Sequence, residues 1–254
     1  MRKVIYLITL FIISNTFYGQ GILNSLHNNE KADIRDTVFV EEIESEIIFY
    51  GKFDNTFKKN ISKYNSKNRL ISEIGYDKNG KLVNRYFIEY DSTNTKKISL
   101  KIERKNGTIQ KIFEYDSNGF LIKISEKNTN NDVIVTTEFK NDDKGYPMES
   151  ITNNYNSNSK FIETADYDFT KNKILISNIN SNGSKLSHTD KIDIQKKYPN
   201  DIINKFGDII KTENIEYEYK YDKLNNWIEK TEYKIINGIR QKYSSIKRKI
   251  KYKK

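Results

Sequence analysis

The sequence predicts an all-β protein: an extended antiparallel β-meander of short hairpins, flat or curled, with a short helix or coil at the start of the mature chain. Three observations predict it. From about Tyr64 onward short alternating runs are separated by turn clusters, with 12 residues from Tyr64 to Tyr76, 14 from Tyr76 to Tyr90 and 25 from Tyr90 to Tyr115. Even spacing of this kind marks a meander. Five Asn-Gly pairs, at Asn79, Asn106, Asn118, Asn182 and Asn237, sit between apolar runs, and tight hairpin turns need the positive φ that glycine and asparagine accept. Finally, 18 tyrosines and 13 phenylalanines against two prolines supply strand formers that a disordered chain lacks.

The elements follow in chain order. Residues 1–21, MRKVIYLITLFIISNTFYGQG, place Arg2 and Lys3 before the apolar run Val4 to Ile13 and end in small and polar residues, the layout of a secretory signal peptide. The run is too short for a membrane span, which needs roughly 20 residues, so no transmembrane segment is expected in the mature chain. Gly19 and Gly21 suit positions −3 and −1 of a cut after Gly21, and a cut after Gly19 exposes Gln20. The chain has no cysteine, which excludes lipid attachment through a lipobox thiol, a disulfide framework and a thiolate metal site. The protein is therefore expected to be exported to the periplasm, cell surface or medium, and not as a lipoprotein.

Residues 22–48 read as a helix or coil and a lead-in strand, with the first strand near Glu46 to Phe53. The repeat sheet occupies 49–254. Leu82, Tyr86, Ile88 and Tyr90 share one face, and Tyr217, Tyr219 and Tyr221 face one way against Glu216, Glu218 and Lys220; a period of two with one greasier face is a half-buried strand. The repeat is clear from Tyr64 to Ile124, degenerate over 131–187, interrupted near 196–212 by a segment with helical character, and clear again from Ile215. The last run alternates Ile246, Arg248, Ile250 and Tyr252 with lysines, as expected of a protected edge strand.

The segments YDKNGKL (Tyr76 to Leu82), YDSNGFL (Tyr115 to Leu121) and YDKLNNWI (Tyr221 to Ile228) resemble the YD, or Rhs-type, repeat. The closing stretch YEYKYDKLNNWIEKTEY, with SIKRKIKY beyond it, is similar to the ends of exported Bacteroidetes proteins that carry degenerate repeats of this kind. The resemblance covers about half of the mature chain, and Asn225-Asn226 departs from Asn-Gly. It implies an extended β architecture outside the cytoplasm. Rhs and teneurin-type shells enclose a toxin or other cargo in far more strands, so toxin delivery is not implied.

Chemistry is thinly encoded. His27 and His188 stand far apart with no metal-ligand spacing, and no serine lies in G-x-S-x-G. Asp77, Asp116, Asp142 and Asp143 lie in turns, where an aspartate usually caps backbone N–H groups; they supply only fragments of a calcium loop. No metal and no cofactor are expected. Glu216, Glu218, Glu229 and Glu232 can meet across a hairpin, as a glycoside hydrolase requires, or pair with lysines, as strands ordinarily do.

The best ligand-binding candidate is the aromatic face of Tyr217, Tyr219, Trp227 and Tyr233. These rings either stack on sugars, with Lys220, Lys230 and Arg240 engaging acidic groups, or form the packed face of the sheet. A formal charge of +10 favours glycan or cell-envelope polyanion partners, a protein partner or self-association being the alternatives, and export makes nucleic acid a poor fit. The sequence thus reads as a non-enzymatic binding or scaffold module. The rival readings are a carbohydrate-active hydrolase using sheet carboxylates and an accessory or immunity partner of a Rhs-type toxin system.

Overall fold

A computed structural model describes residues 21–26, 31–35, 37–50, 56–179, 183–193 and 201–253. The signal-peptide reading of residues 1–20, His27, Asn182 and the segment 194–200 lie outside the described residues. The described elements are one helix, α1 (Gly21–Leu26), and seventeen strands, so the fold is all-β as expected. The strands are β1 (Val40–Phe49), β2 (Thr56–Tyr64), β3 (Leu70–Tyr76), β4 (Leu82–Tyr90), β5 (Lys97–Arg104) and β6 (Gly107–Tyr115), then β7 (Leu121–Lys127), β8 (Val133–Asn141), β9 (Pro147–Asn154), β10 (Ser159–Asp168) and β11 (Lys173–Ile179). They continue as β12 (Lys185–Lys191), β13 (Ile202–Ile203), β14 (Ile209–Lys211), β15 (Ile215–Tyr221), β16 (Trp227–Ile236) and β17 (Ile239–Tyr252).

Two compact units are present. In the first, β8 to β12 pair in order as antiparallel neighbours. Helix α1 lays Ile22, fully buried, and Leu23 onto Ala165, Ile174 and Ile176. Six residues are too few for a helix to stand alone; burying Ile22 alone contributes about 1.5–3 kcal/mol.

In the second unit β13 to β17 pair in sequence order, and so do β1 to β6. The two runs are joined by β1 pairing with β17. This corrects two expectations. The first strand starts at Val40, six residues before Glu46, and β17 is an interior strand with β16 on one side and β1 on the other. Charge explains both. Glu42, Glu44 and Glu46 of β1 oppose Lys251, Lys249 and Lys247 of β17, and Glu42 and Glu46 oppose Lys63 and Lys59 of β2. An acidic strand between two basic ones replaces repulsion with cross-strand attraction, while on the other face Ile43 and Ile47 meet Ile250 and Ile246.

The hairpin corners share one geometry. In Asp77–Lys81 the first residue donates its N–H to the carbonyl of the fifth at 3.0 Å and accepts the N–H of the fourth at 3.0 Å. Its Oδ1 accepts the N–H groups of Asn79 and Lys81, each at 2.9 Å. The same backbone pair closes 65–69, 116–120, 128–132, 142–146, 204–208 and 222–226. The fourth residue always has positive φ: glycine at Gly80, Gly119, Gly145 and Gly207, asparagine at Asn68, Asn131 and Asn225. The first is Asp or Asn, because both offer an Oδ1 acceptor. Within 131–187 the corner recurs at 142–146, while the 168–172 turn closes differently, through the Asn172 N–H to the Phe169 carbonyl; residues 204–208, expected to be irregular and helical, form one more corner.

A one-residue bulge follows the corner in five hairpins, leaving Ile71, Val83, Ile98, Met148 and Ile228 as the extra residue. The first four are exposed, whereas Leu70, just before its bulge, is buried. Several corners are also tied to the residue that follows the corner two hairpins earlier. Tyr90 Oη donates to Leu70 O at 2.9 Å, Tyr167 Oη to Pro147 O at 2.9 Å, and Asn141 Nδ2 to Leu121 O at 2.9 Å. Each spans 20 residues, so these bonds pass over the intervening corner, while successive corners keep the 12–14-residue spacing, as from 65 to 77 and from 128 to 142.

Candidate functional site: the aromatic and charged faces of β15 to β17

Tyr217, Tyr219 and Tyr221 alternate along β15 and share a face with Trp227. Tyr219 stacks near Tyr221 at 5.9 Å and meets Trp227 edge-on at 6.4 Å. Tyr233 is not with them. The bulge at Ile228 pairs Trp227 with Tyr221 but Glu229 with Lys220 and Tyr233 with Glu216. One extra residue reverses every later side chain, so Tyr233 takes the opposite face. The structure thus brings together three of the four expected residues.

Those three are covered. Trp227 and Tyr217 are each less than a tenth exposed. Residues 31–35 lie across the Trp227 end: Trp227 Nε1 donates to Asp33 Oδ2 at 2.9 Å, and Arg35 bonds Asp208 Oδ2 at 2.5 Å and the Asn225 carbonyl at 2.9 Å. From β17, Arg248 lies 3.2 Å over the indole and donates to Trp227 O and Asp33 O. Burial pulls the Arg248 guanidinium down to about 10, with Asp33 pulling the other way, so it stays charged at neutral pH. Lys230 lies 4.6 Å from the Tyr217 ring, and burial lowers its pKa. Burial and the bond to Asp208 push Tyr221 up to about 12, and burial drives Tyr219 higher still. These hydroxyls are fixed donors, with Tyr219 Oη reaching Ile209 O at 3.1 Å.

The opposite face is open and charged. Tyr233 Oη donates to Glu218 at 2.9 Å, and the Arg240 guanidinium lies 3.5 Å over the Tyr233 ring while bonding Glu218 at 2.7 Å. Beside it Lys242 lies 4.4 Å from the Tyr50 ring. The four glutamates considered for a hydrolase are divided between the two faces. Glu216 and Glu218 are held by Arg240, and Glu229 by Lys220 at 2.7 Å. Glu232 lies on the buried face opposite Ser244, where burial raises its pKa. Three corner aspartates, Asp77, Asp116 and Asp142, accept backbone N–H groups, and His188 is exposed on β12.

Sequence reasoning missed Asp33, Arg35, Asp208 and the partners of buried glutamates. Glu73, Glu163 and Glu232 each stand opposite a serine, Ser62, Ser150 and Ser244, and accept its hydroxyl. One signal was present: Arg248 interrupts the apolar side of the Ile246 to Tyr252 alternation. For Asp33 nothing local announces a partner 194 residues away.

Fold and site together define an all-β repeat protein built on Asp- or Asn-capped hairpins, with a covered aromatic cluster at one end of β15 to β17. No family model matches the chain, and no curated protein matches it. Among solved structures it is similar to a porin-like protein from Bacteroides uniformis, at 14% identity and a TM-score of 0.45 over 84% of this chain and 98% of that one. It is also similar to the TcdB2-TccC3-Cdc42 complex, at 11% identity and a TM-score of 0.36 over 72% of this chain and 14% of that one; the chain spans a small part of that structure. Both scores lie below 0.5, so neither likeness bears on what this chain does.

Proposed function

We propose that the chain is an exported β-repeat protein of the YD type that works without catalysis, as a binding or scaffold module of the cell envelope or extracellular space. One observation carries this reading: the corner aspartates, three buried glutamates and the Trp227 cluster are engaged in holding the hairpins. Corner aspartates accept backbone N–H groups, buried glutamates accept serine hydroxyls, and the Trp227 cluster is closed by residues 31–35. Tyr233 with Arg240 and Lys242 is left at the surface, a ring beside two cations that suits an anionic glycan or envelope polyanion. The exposed face also carries Lys59–Glu44, Lys249–Glu44 and Lys251–Glu41 ion pairs, which suit water and not hydrocarbon. No described helix is long and apolar enough to cross a membrane.

The test is retention on immobilised heparin, a probe for sulfated polyanions, with Tyr233→Ala and Arg240→Ala/Lys242→Ala variants. A roughly tenfold loss in the double variant with an unchanged melting curve supports the contact; equal retention of all three proteins refutes it. Fractionation of cells making the full chain tests export separately.

A further inference from the structure

Glu163 is 2% exposed and belongs to β10, under helix α1. Its Oε2 accepts the Ile22 N–H at 3.0 Å and the Ser150 hydroxyl at 2.8 Å. Its Oε1 is buried and has no hydrogen-bond partner among the described residues. A buried carboxylate with one oxygen unmatched is costly unless a cation completes it. Gly21 lies so close that a Cβ there would stand 3.0 Å from Glu163 Oε2 and 3.0 Å from Ser150 Oγ, so the chain entering this spot is under tight steric limits.

We propose that signal-peptide removal after Gly21 makes Ile22 the mature N-terminus, and that its α-ammonium docks on the buried Glu163 carboxylate to lock α1 onto β9 and β10. The reading rests on export. Peptide hydrolysis between Gly21 and Ile22 consumes one water and leaves the Gly21 carboxylate on the leader and a protonated amine on Ile22. That nitrogen already sits 3.0 Å from Oε2. As an amide it donates once; as an ammonium it donates three times, enough for both carboxylate oxygens, and it adds the missing positive charge. Ile22 packs beside Ala165, Ile174 and Ile176, which anchors its nitrogen over the buried carboxylate. The small residues at Gly19 and Gly21 then serve the peptidase.

Three measurements test this. N-terminal sequencing of the chain exported from a Gram-negative host should read Ile22. Chains produced to begin at Ile22 or at Gly21, by cutting a fusion directly before either residue, should differ by about 5 °C in melting temperature, Ile22 the higher. In Glu163→Gln, which keeps shape and an acceptor, that difference should disappear. An exported chain beginning elsewhere, equal melting of the two chains, or a difference that survives Glu163→Gln each overturns the proposal. A chain left uncleaved inside the cell overturns the export reading and the cleavage with it, whereas the comparison at Glu163 reads the ammonium contact independently of export.

Discussion

Gly80 and Gly145 occupy the same fourth place of the hairpin corner, with φ of +74° and +87°, yet replacing them with alanine should have unequal costs. A left-handed residue with a Cβ costs about 1–2 kcal/mol, and this applies to both. At Gly80 nothing lies within 4 Å of the new methyl. At Gly145 the methyl would stand 2.5 Å from Phe120 Cε1 and closer still to Cδ1. The ring is held in the neighbouring corner, where its N–H donates to Asp116 Oδ1 at 2.8 Å, so its backbone cannot easily retreat. Overpacking of this kind adds about 1–3 kcal/mol. Gly80→Ala should therefore cost about 1–2 kcal/mol and Gly145→Ala about 2–5. In urea titrations followed by far-ultraviolet circular dichroism the second midpoint should be clearly lower. Adding Phe120→Ala to Gly145→Ala should recover the steric part, visible as a favourable coupling in the double-mutant cycle. Equal losses at the two glycines, or no coupling with Phe120, would refute the argument that Phe120 sets the difference.

Asp142→Ala removes an acceptor that holds the Lys144 and Tyr146 N–H groups at 2.9 and 2.8 Å and should cost about 1–2 kcal/mol. Asp142→Asn should cost far less, since Asn65, Asn128 and Asn204 do the same work in sibling corners. Calorimetry of the two variants in parallel separates them. Tyr90→Phe and Tyr167→Phe each delete a hydroxyl bonded to a carbonyl 20 residues upstream and should lose about 1 kcal/mol apiece, measured by urea midpoints. Burial raises the Glu232 pKa above 4.5 in the folded state, so its contribution is fully present below the unfolded pKa and is lost as pH rises through the folded one. Glu232→Gln should match the wild type near pH 4 and become relatively more stable toward pH 7 in melting curves at both pH values.

Much of the architecture was legible because its causes are local. An Asn-Gly pair readily places its glycine at positive φ, a corner Asp finds its N–H partners two and four residues on, and alternation sets the faces along one strand. The 25-residue step from Tyr90 to Tyr115 was visible as spacing, whereas the tie from Tyr90 across one hairpin to the Leu70 carbonyl was not. The corners at 128–132 and 204–208 escaped notice because they were judged by Tyr, Asp and Gly, when the geometry requires only an Asx oxygen and a residue tolerant of positive φ. The candidate site was half legible. Tyr217, Tyr219 and Trp227 do gather, but Tyr233 required knowledge of a bulge that no pattern marks.

Sequence alone determined the all-β class, the corners, the strand faces between bulges and the acidic and basic strands, because each depends on a residue's own φ/ψ and on neighbours a few positions away. The tertiary structure decided that β1 lies between β17 and β2, that Asp33 and Arg248 enclose Trp227, and that Glu163 waits beneath Ile22. The Ile22–Glu163, Asp33–Trp227 and Asp33–Arg248 contacts join residues 141 to 215 positions apart, and complementary charge and shape across such distances leave no periodic trace in the chain.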